Sequence, residues 1–212
     1  MRKRFQGELD KLHKMLLNMD MTIKNNIDMM LTALKNSDRK LAKEVIDSDD
    51  LVDNWELEIE EFCIDIIIRQ QPVAGDLREI TSILKMITDL ERISDYCASV
   101  CEHFLDIKLD DNSKCMKKII KLGKNAKQMF IGMIEGHMEQ NEEKIKKVND
   151  QDSISDQIFE DLKRNIIKDI DIIGVENSIN FILMGRALER MADHITNICE
   201  WIHYKMTGKF RI

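Results

Sequence analysis

The chain has 212 residues, a formal net charge of −7, and only one proline and eight glycines. This length allows one large domain or two small ones, and the scarcity of proline and glycine disfavours a β-rich fold. The negative charge gives no support for nonspecific binding to nucleic acid or to an anionic membrane. The basic start at residues 1–4 is not followed by an apolar core, and no window approaches the ~18 apolar residues of a membrane span. We therefore expect a cytoplasmic protein.

Apolar residues recur with helical spacing through almost the whole chain, and this periodicity predicts six helices. The predicted helices span roughly Arg4–Asn36, Asp38–Gln70, Ala74–Asp106, Ser113–Met138, Asn141–Ile172 and Val175–Met206. Polar and turn-forming residues separate them, and Ser37, Asp38, Ser113 and Asn141 are predicted N-caps. The acidic stretch at residues 109–113 divides three helices from three.

Two phrases of the sequence occur twice. "LERISDYCASVCE" (Leu90–Glu102) returns 98 residues later as "LERMADHITNICE" (Leu188–Glu200). "VIDSDDLVD" (Val45–Asp53) returns 103 residues later as "VNDQDSISD" (Val148–Asp156). The difference means that the second copy has lost five residues between the two phrases, where the turn "QQPVAGDLRE" has no counterpart. The chain therefore contains an internal duplication.

Long helices joined by short turns must bury their apolar stripes against each other and against a third neighbour. We predict an all-α fold of two tandem three-helix bundles related by the internal duplication. The first bundle is expected at residues 1–108 and the second at residues 109–212. Each bundle would then contain one copy of both repeated phrases.

The repeated phrases carry carboxylates at spacings that share one helix face. Positions i, i+4, i+7 and i+11 stay within about 60° of one another on a helix. The repeated acidic positions are Asp49, Asp53, Glu91 and Asp95 in the first unit, and Asp152, Asp156, Glu189 and Asp193 in the second. Glu56 and Glu60 extend the first row, whereas Phe159 and Lys163 stand at the corresponding places in the second. The apolar stripe lies elsewhere on each helix, so we expect the carboxylates to face away from the core.

Helical-hairpin geometry predicts that carboxylates from neighbouring helices converge. Asp53 lies 19 residues before Pro72 and Glu91 lies 19 residues after it. A hairpin that turns at Pro72 would bring Asp53 level with Glu91, and Asp49 level with Asp95. The corresponding turn of the second unit gives similar counts. The acidic rows also lack regular basic partners at i,i+4, and like charges at that spacing repel.

Converged carboxylates either raise one another's pKa or bind a cation. Oxygen ligands favour hard ions such as Mg²⁺, Mn²⁺ and ferric iron, and Zn²⁺ also accepts carboxylate oxygen. A carboxylate-bridged iron enzyme or iron-storage bundle is an alternative, although such proteins use Glu-x-x-His pairs that these motifs lack. A plain helical scaffold with a solvated acidic face is a third interpretation.

Three stretches resemble the PhoU family of phosphate-uptake regulators. They are "RQQPVAGDLREI" (Arg69–Ile80), "DLERISD" (Asp89–Asp95) and "LERMADHITNICEWIHYKMTG" (Leu188–Gly208), and the resemblance extends over essentially the whole chain. It implies an all-α protein of two three-helix bundles that is not an enzyme. It also implies a negative regulator of the phosphate regulon, which links the ATPase subunit of a phosphate ABC transporter to a sensor histidine kinase. A homodimer, peripheral to the membrane only through its partners, is expected.

The same resemblance implies metal binding through acidic motifs on the protein surface. Iron or zinc is the expected metal, with manganese or magnesium as further candidates. Carried over by position, the ligands would be Asp49, Asp53, Glu91 and Asp95 in one site, and Asp152, Asp156, Glu189 and Asp193 in the other. Because Phe159 and Lys163 leave the second unit poorer in carboxylates, the two sites are not expected to be equivalent.

Overall fold

The computed structural model describes residues 2–108 and 113–210, and every regular element in this part of the chain is an α-helix. The helices are α1 (Arg2–Asn36), α2 (Arg39–Asp47), α3 (Asp49–Gln70), α4 (Gly75–Asp106), α5 (Lys114–Met138), α6 (Glu142–Asp150), α7 (Asp152–Ile173) and α8 (Val175–Thr207). The predicted all-α fold is confirmed. None of the described helices combines the length and the hydropathy that crossing a bilayer requires.

The six predicted helices are present, and the second and fifth of them bend at a single residue. Ser48 separates α2 from α3, and Gln151, at the duplicated position 103 residues later, separates α6 from α7. The Ser48 hydroxyl donates to the Val45 carbonyl at 2.7 Å, which competes with the regular helical hydrogen bonds. Both bends therefore place an aspartate, Asp49 or Asp152, at the first position of a new helix.

Side-chain caps define most of the predicted helix starts. Asp38 accepts hydrogen bonds from two backbone N–H groups of α2, while Ser113 and Asn141 each accept one from the first turn of α5 and α6. These three N-cap predictions are confirmed. Ser37 is not a cap: it lies one residue earlier in a left-handed conformation, with φ of 56°.

The two long hairpins turn differently. Residues 71–74 connect α3 to α4, with Gln71 and Ala74 both at positive φ. Gly174 alone connects α7 to α8, with φ of 79° and ψ of 154°, a conformation that residues with a Cβ atom rarely adopt. The second hairpin is therefore shorter at the turn, which is where the duplicated sequence predicted the loss of residues.

Helices α4 and α8, which carry the repeated Leu-Glu-Arg phrases, pack against each other more extensively than any other pair of described helices. Tyr96 and His194, which occupy equivalent positions in the duplication, face each other there with ring centroids 5.6 Å apart. His194 Nδ1 also lies 2.7 Å from Asp89 Oδ1 across the same interface. One hydrophobic core contains residues of both halves of the chain. The predicted boundary stretch at residues 109–113 lies outside the described residues, apart from Ser113.

Close packing of α7 on α8 depends on Gly185. A Cβ atom at this position would lie 2.6 Å from Leu162 and 2.9 Å from the Phe159 ring. We expect Gly185→Val to lower the free energy of unfolding by about 2 kcal/mol through overpacking, measured by urea titration. Gly7→Val is the matched control, since a Cβ atom added at Gly7 in α1 would meet nothing within 4 Å; we expect a change within about 0.5 kcal/mol. Equal losses in the two variants would contradict the packing assigned to Gly185.

Candidate functional site

The first carboxylate cluster lies between the facing helices of the α3–α4 hairpin. Asp49 and Asp53 extend from α3, and Asp95 extends from α4. One ligand atom from each of these three residues lies within 4.8 Å of the others. Glu91 borders the group, because the charges of Asp95 and Asp53 both act on it. The structure thus brings together the four residues that the hairpin geometry paired.

The second cluster repeats this arrangement between α7 and α8 but is more open. Asp152, Asp156, Glu189 and Asp193 are near enough for their charges to act on one another. In the part of the chain that the structure describes, however, only the first cluster has three ligand atoms within 4.8 Å. Phe159 is buried beside the second cluster, with the Lys163 ammonium group 4.9 Å above its ring. This apolar and basic pair replaces the carboxylates that extend the first row.

Most of the carboxylates are less exposed than a solvated outer face would leave them, and Glu189 is buried. Only Asp53 and Asp156 are exposed, and Glu189 is merely 8% exposed. The half-buried members of the two clusters are Asp49, Glu91, Asp95, Asp152 and Asp193. They lie in the groove where two helices of a hairpin meet, and the neighbouring helix covers a face that a single-helix projection treats as solvated.

Each cluster contains two buried carboxylate oxygens without a hydrogen-bond partner among the described residues. They are Asp49 Oδ1 and Glu91 Oε2 in the first cluster, and Asp152 Oδ1 and Glu189 Oε2 in the second. Arg92 Nε approaches Glu91 Oε2 to 3.3 Å, but not in hydrogen-bonding geometry.

These four oxygens occupy equivalent positions in the duplicated units, so each unit lacks hydrogen-bond donors at the same two places. A buried polar atom without a partner destabilises a fold by about 1–3 kcal/mol, and more if it is charged. An ionised carboxylate can only accept, so the partner that would satisfy it is a donor or a cation. The residues present therefore fit a cation bound by carboxylate oxygens at each cluster.

Burial and repulsion between carboxylates raise the pKa of several acid groups in each cluster. Burial, reinforced by the Asp95 charge, raises the pKa of Asp49 to about 6 and that of Glu91 to about 7. In the second cluster burial is again the largest cause, and it raises the pKa of Asp152, Glu189 and Asp193. A bound divalent cation would reverse this balance because it favours the ionised carboxylates.

Two arginines compensate part of the acidic charge, although neither lies at the i,i+4 spacing where the sequence predicted no regular basic partners. Arg92 Nη1 donates to Asp95 Oδ2 at 2.7 Å in the first cluster. Arg186 Nη1 donates to Glu189 Oε1 at the same distance in the second. Both pairs have i,i+3 spacing, so counting basic partners at i,i+4 alone misses them. The acidic rows therefore do have basic neighbours.

A buried polar network connects α1 to the helices that carry the first cluster. Asn26 on α1 donates to the Ser94 hydroxyl at 3.3 Å and accepts from the Ser48 hydroxyl at 3.0 Å. Ser48 and Ser94 directly precede the cluster residues Asp49 and Asp95 in the sequence. In the second unit Asn125, on α5, donates to Ser155 at 2.9 Å. The sequence signal for these residues is an asparagine on the apolar side of each unit's first helix, where a polar side chain needs a buried partner.

Comparisons with known proteins agree with this architecture. The family model described as "PhoU domain" matches residues 16–104 and 119–202. A phosphate-specific transport system accessory protein PhoU homolog from Clostridium acetobutylicum is 33% identical, over 98% of this chain and 96% of the relative. The accessory protein PhoU of Escherichia coli is 28% identical, over 97% of this chain and 86% of its own length.

Solved structures show the same fold. The crystal structure of the phosphate transport system regulatory protein PhoU from Streptococcus pneumoniae has a TM-score of 0.89 and 26% identity, with 98% of this chain and 99% of that chain covered. The crystal structure of PhoU from Pseudomonas aeruginosa has a TM-score of 0.92 and 27% identity, with 97% and 100% covered.

The raised pKa of Glu91 predicts how the stability of the metal-free protein changes with pH. Between about pH 4.5 and about 7 the folded state holds a proton that the unfolded state has lost. Stability must therefore fall as pH rises through this window. We expect Glu91→Gln to remove about 1–3 kcal/mol of that fall, measured by urea unfolding in chelator at pH 5 and pH 7.5. Glu102→Gln, on the exposed face of α4, is the control and should keep the wild-type pH dependence. A wild-type slope in the Glu91 variant would contradict the prediction.

Proposed function

The chain belongs to the PhoU family, and from this premise we propose that it is a cytoplasmic negative regulator of phosphate uptake and of the phosphate regulon. PhoU proteins are accessory and regulatory proteins of phosphate-specific transport systems, not enzymes. The chain aligns with such proteins over nearly its full length. Its activity would accordingly consist of binding and releasing partners rather than of catalysis.

Two partners are proposed on the basis of this family membership. One is the ATPase subunit of a phosphate ABC transporter, and the other is a sensor histidine kinase. An adaptor that contacts both could report transport activity to the kinase and keep phosphate-uptake genes repressed when phosphate is plentiful. The names of the relatives, which describe transport accessory and regulatory proteins, support this role. A homodimer is proposed as the working form.

Each hairpin is further proposed to bind metal. The observation that carries this proposal is the pair of partnerless buried carboxylate oxygens at equivalent positions in both units. The proposed ligands are Asp49, Asp53, Glu91 and Asp95 in the first site, and Asp152, Asp156, Glu189 and Asp193 in the second. An all-oxygen donor set suits iron, manganese or magnesium, and zinc can also be held.

A bound metal would hold the two helices of each hairpin together. A cation held by carboxylates of both helices replaces their repulsion by a shared attraction, which ties α3 to α4 and α7 to α8. Asp49 and Asp152 each follow the bent residue directly, so the same cation would also hold the bends at Ser48 and Gln151. The metal's role on this proposal is to order the surface on which partners dock.

The metal proposal predicts separable losses. Asp95→Asn should remove the metal of the first site only, and Asp193→Asn that of the second only, because each change deletes a ligand charge from one cluster. The double variant should retain almost none, measured by elemental analysis of protein purified without chelator. Glu102→Gln and Glu200→Gln, exposed on the same two helices, are the matched controls. A double variant that keeps the wild-type metal content would show that the clusters are not the binding sites.

The regulatory proposal predicts a phenotype. A deletion strain should express phosphate-uptake genes at high phosphate, because the repressing adaptor is missing, and the wild-type gene should restore repression. Reporter expression at high and low phosphate is the measurement. Normal repression in a deletion strain that has no second PhoU gene would refute the proposed function. Complementation with the Asp95→Asn, Asp193→Asn double variant then tests separately whether metal is needed for repression.

A further inference from the structure

A cavity of about 320 Å³ is lined by residues that belong to neither carboxylate cluster. Its walls come from α1, from the end of α5 and the turn that follows it, and from the last turn of α8. Leu16, Leu17 and Met138 provide an apolar surface, while Asp20, Lys14 and Lys205 provide charged groups. Because α1 belongs to one half of the chain and α5 and α8 to the other, an occupant would contact both duplicated units.

Among the residues that line the cavity, Asp20 is unusual because its carboxyl group is buried. It is 4% exposed, and its Oδ1 has no hydrogen-bond partner within residues 2–108 and 113–210. Burial is the cause that raises the pKa of its carboxyl group to about 8. A buried carboxyl without a donor is costly for the fold. The metal proposal does not use this residue, and the cavity that Asp20 lines is where a partner for it can enter.

The two lysines that line the cavity favour an anionic group, whereas Asp20 favours a hydrogen-bond donor. Lys205 Nζ lies 2.9 Å from Glu79 Oε1 and 3.1 Å from His137 Nε2, so two of its three N–H groups serve these partners. The third is available to an acceptor in the cavity, and Lys14 is exposed at the rim. A ligand that carries only a positive charge would be repelled by the two lysines. A ligand that carries only a negative charge would leave Asp20 Oδ1 without a donor.

We propose that this cavity binds a small zwitterion, whose ammonium group pairs with Asp20, whose anionic group faces Lys14 and Lys205, and whose apolar spacer packs on Leu16, Leu17 and Met138. Linear ω-amino acids are the simplest members of this class, because an apolar chain separates their two charges. The inference rests on neither the metal sites nor the regulatory role.

The test uses the full chain and a set of related probes. Thermal unfolding is followed with 6-aminohexanoate and 4-aminobutyrate, and with hexylamine and hexanoate as molecules that keep only one of the two charges. We expect at least one ω-amino acid to raise Tm saturably, by roughly 5–10 °C at a hundredfold excess over Kd, and the single-charge probes to act at much higher concentration. Isothermal titration calorimetry gives the Kd independently.

Variants locate the site. Asp20→Asn keeps the side-chain shape and should abolish the response, and Lys14→Gln should reduce the response to that of hexylamine. Asp10→Asn, the same change elsewhere on α1, is the matched control and should respond as wild type. Leu17→Trp, which fills the cavity without changing charge, should also abolish binding and serves if Asp20→Asn fails to fold. The proposal is overturned if neither ω-amino acid shifts Tm, if hexanoate or hexylamine acts as strongly as they do, or if the folded Asp20 and Leu17 variants still respond.

Discussion

The packing of α4 on α8 is the interaction on which the remaining structure depends. It is the most extensive contact between described helices and joins the two duplicated units through their equivalent segments. The apolar sides of the Leu-Glu-Arg phrases, such as Leu90 and Leu188, are fully buried in the common core. Helix α4 also packs against α3, and α8 against α7, so the acidic faces of the central helices meet the other helix of their own hairpins. The grooves that hold the carboxylates follow from this arrangement.

The carboxylates in those grooves lower the stability of the metal-free fold, because some of their buried oxygens lack hydrogen-bond partners. Replacing the acids by neutral residues would relieve repulsion and satisfy buried oxygens, yet the structure keeps two partnerless oxygens in each unit. Arg92 and Arg186 offset only part of the charge, and each contacts its cluster from a different position in the helix. A bound cation would supply the positive charge that is still missing at each cluster.

The duplicated units are related without being interchangeable. The first has three ligand atoms within 4.8 Å and a network of Asn26, Ser48 and Ser94 behind Asp49. The second keeps the four acidic positions but has Phe159 and Lys163 in place of further carboxylates, and a hairpin that turns on a single glycine. Different acid content at a common geometry is expected to give sites of different affinity, because ligand charge sets much of the attraction for a cation.

Much of the architecture follows from the sequence by itself. Apolar periodicity indicates the helices, Asp38, Ser113 and Asn141 mark three of their starts, and the repeated phrases reveal the duplication and the residues that meet across each hairpin. These features are local, or depend on counting residues along helices of known rise. The burial of Glu189 and the cavity beside Asp20 were decided only by tertiary structure. Each depends on side chains from separate helices meeting at a particular height and rotation, and one-dimensional spacing does not contain that information.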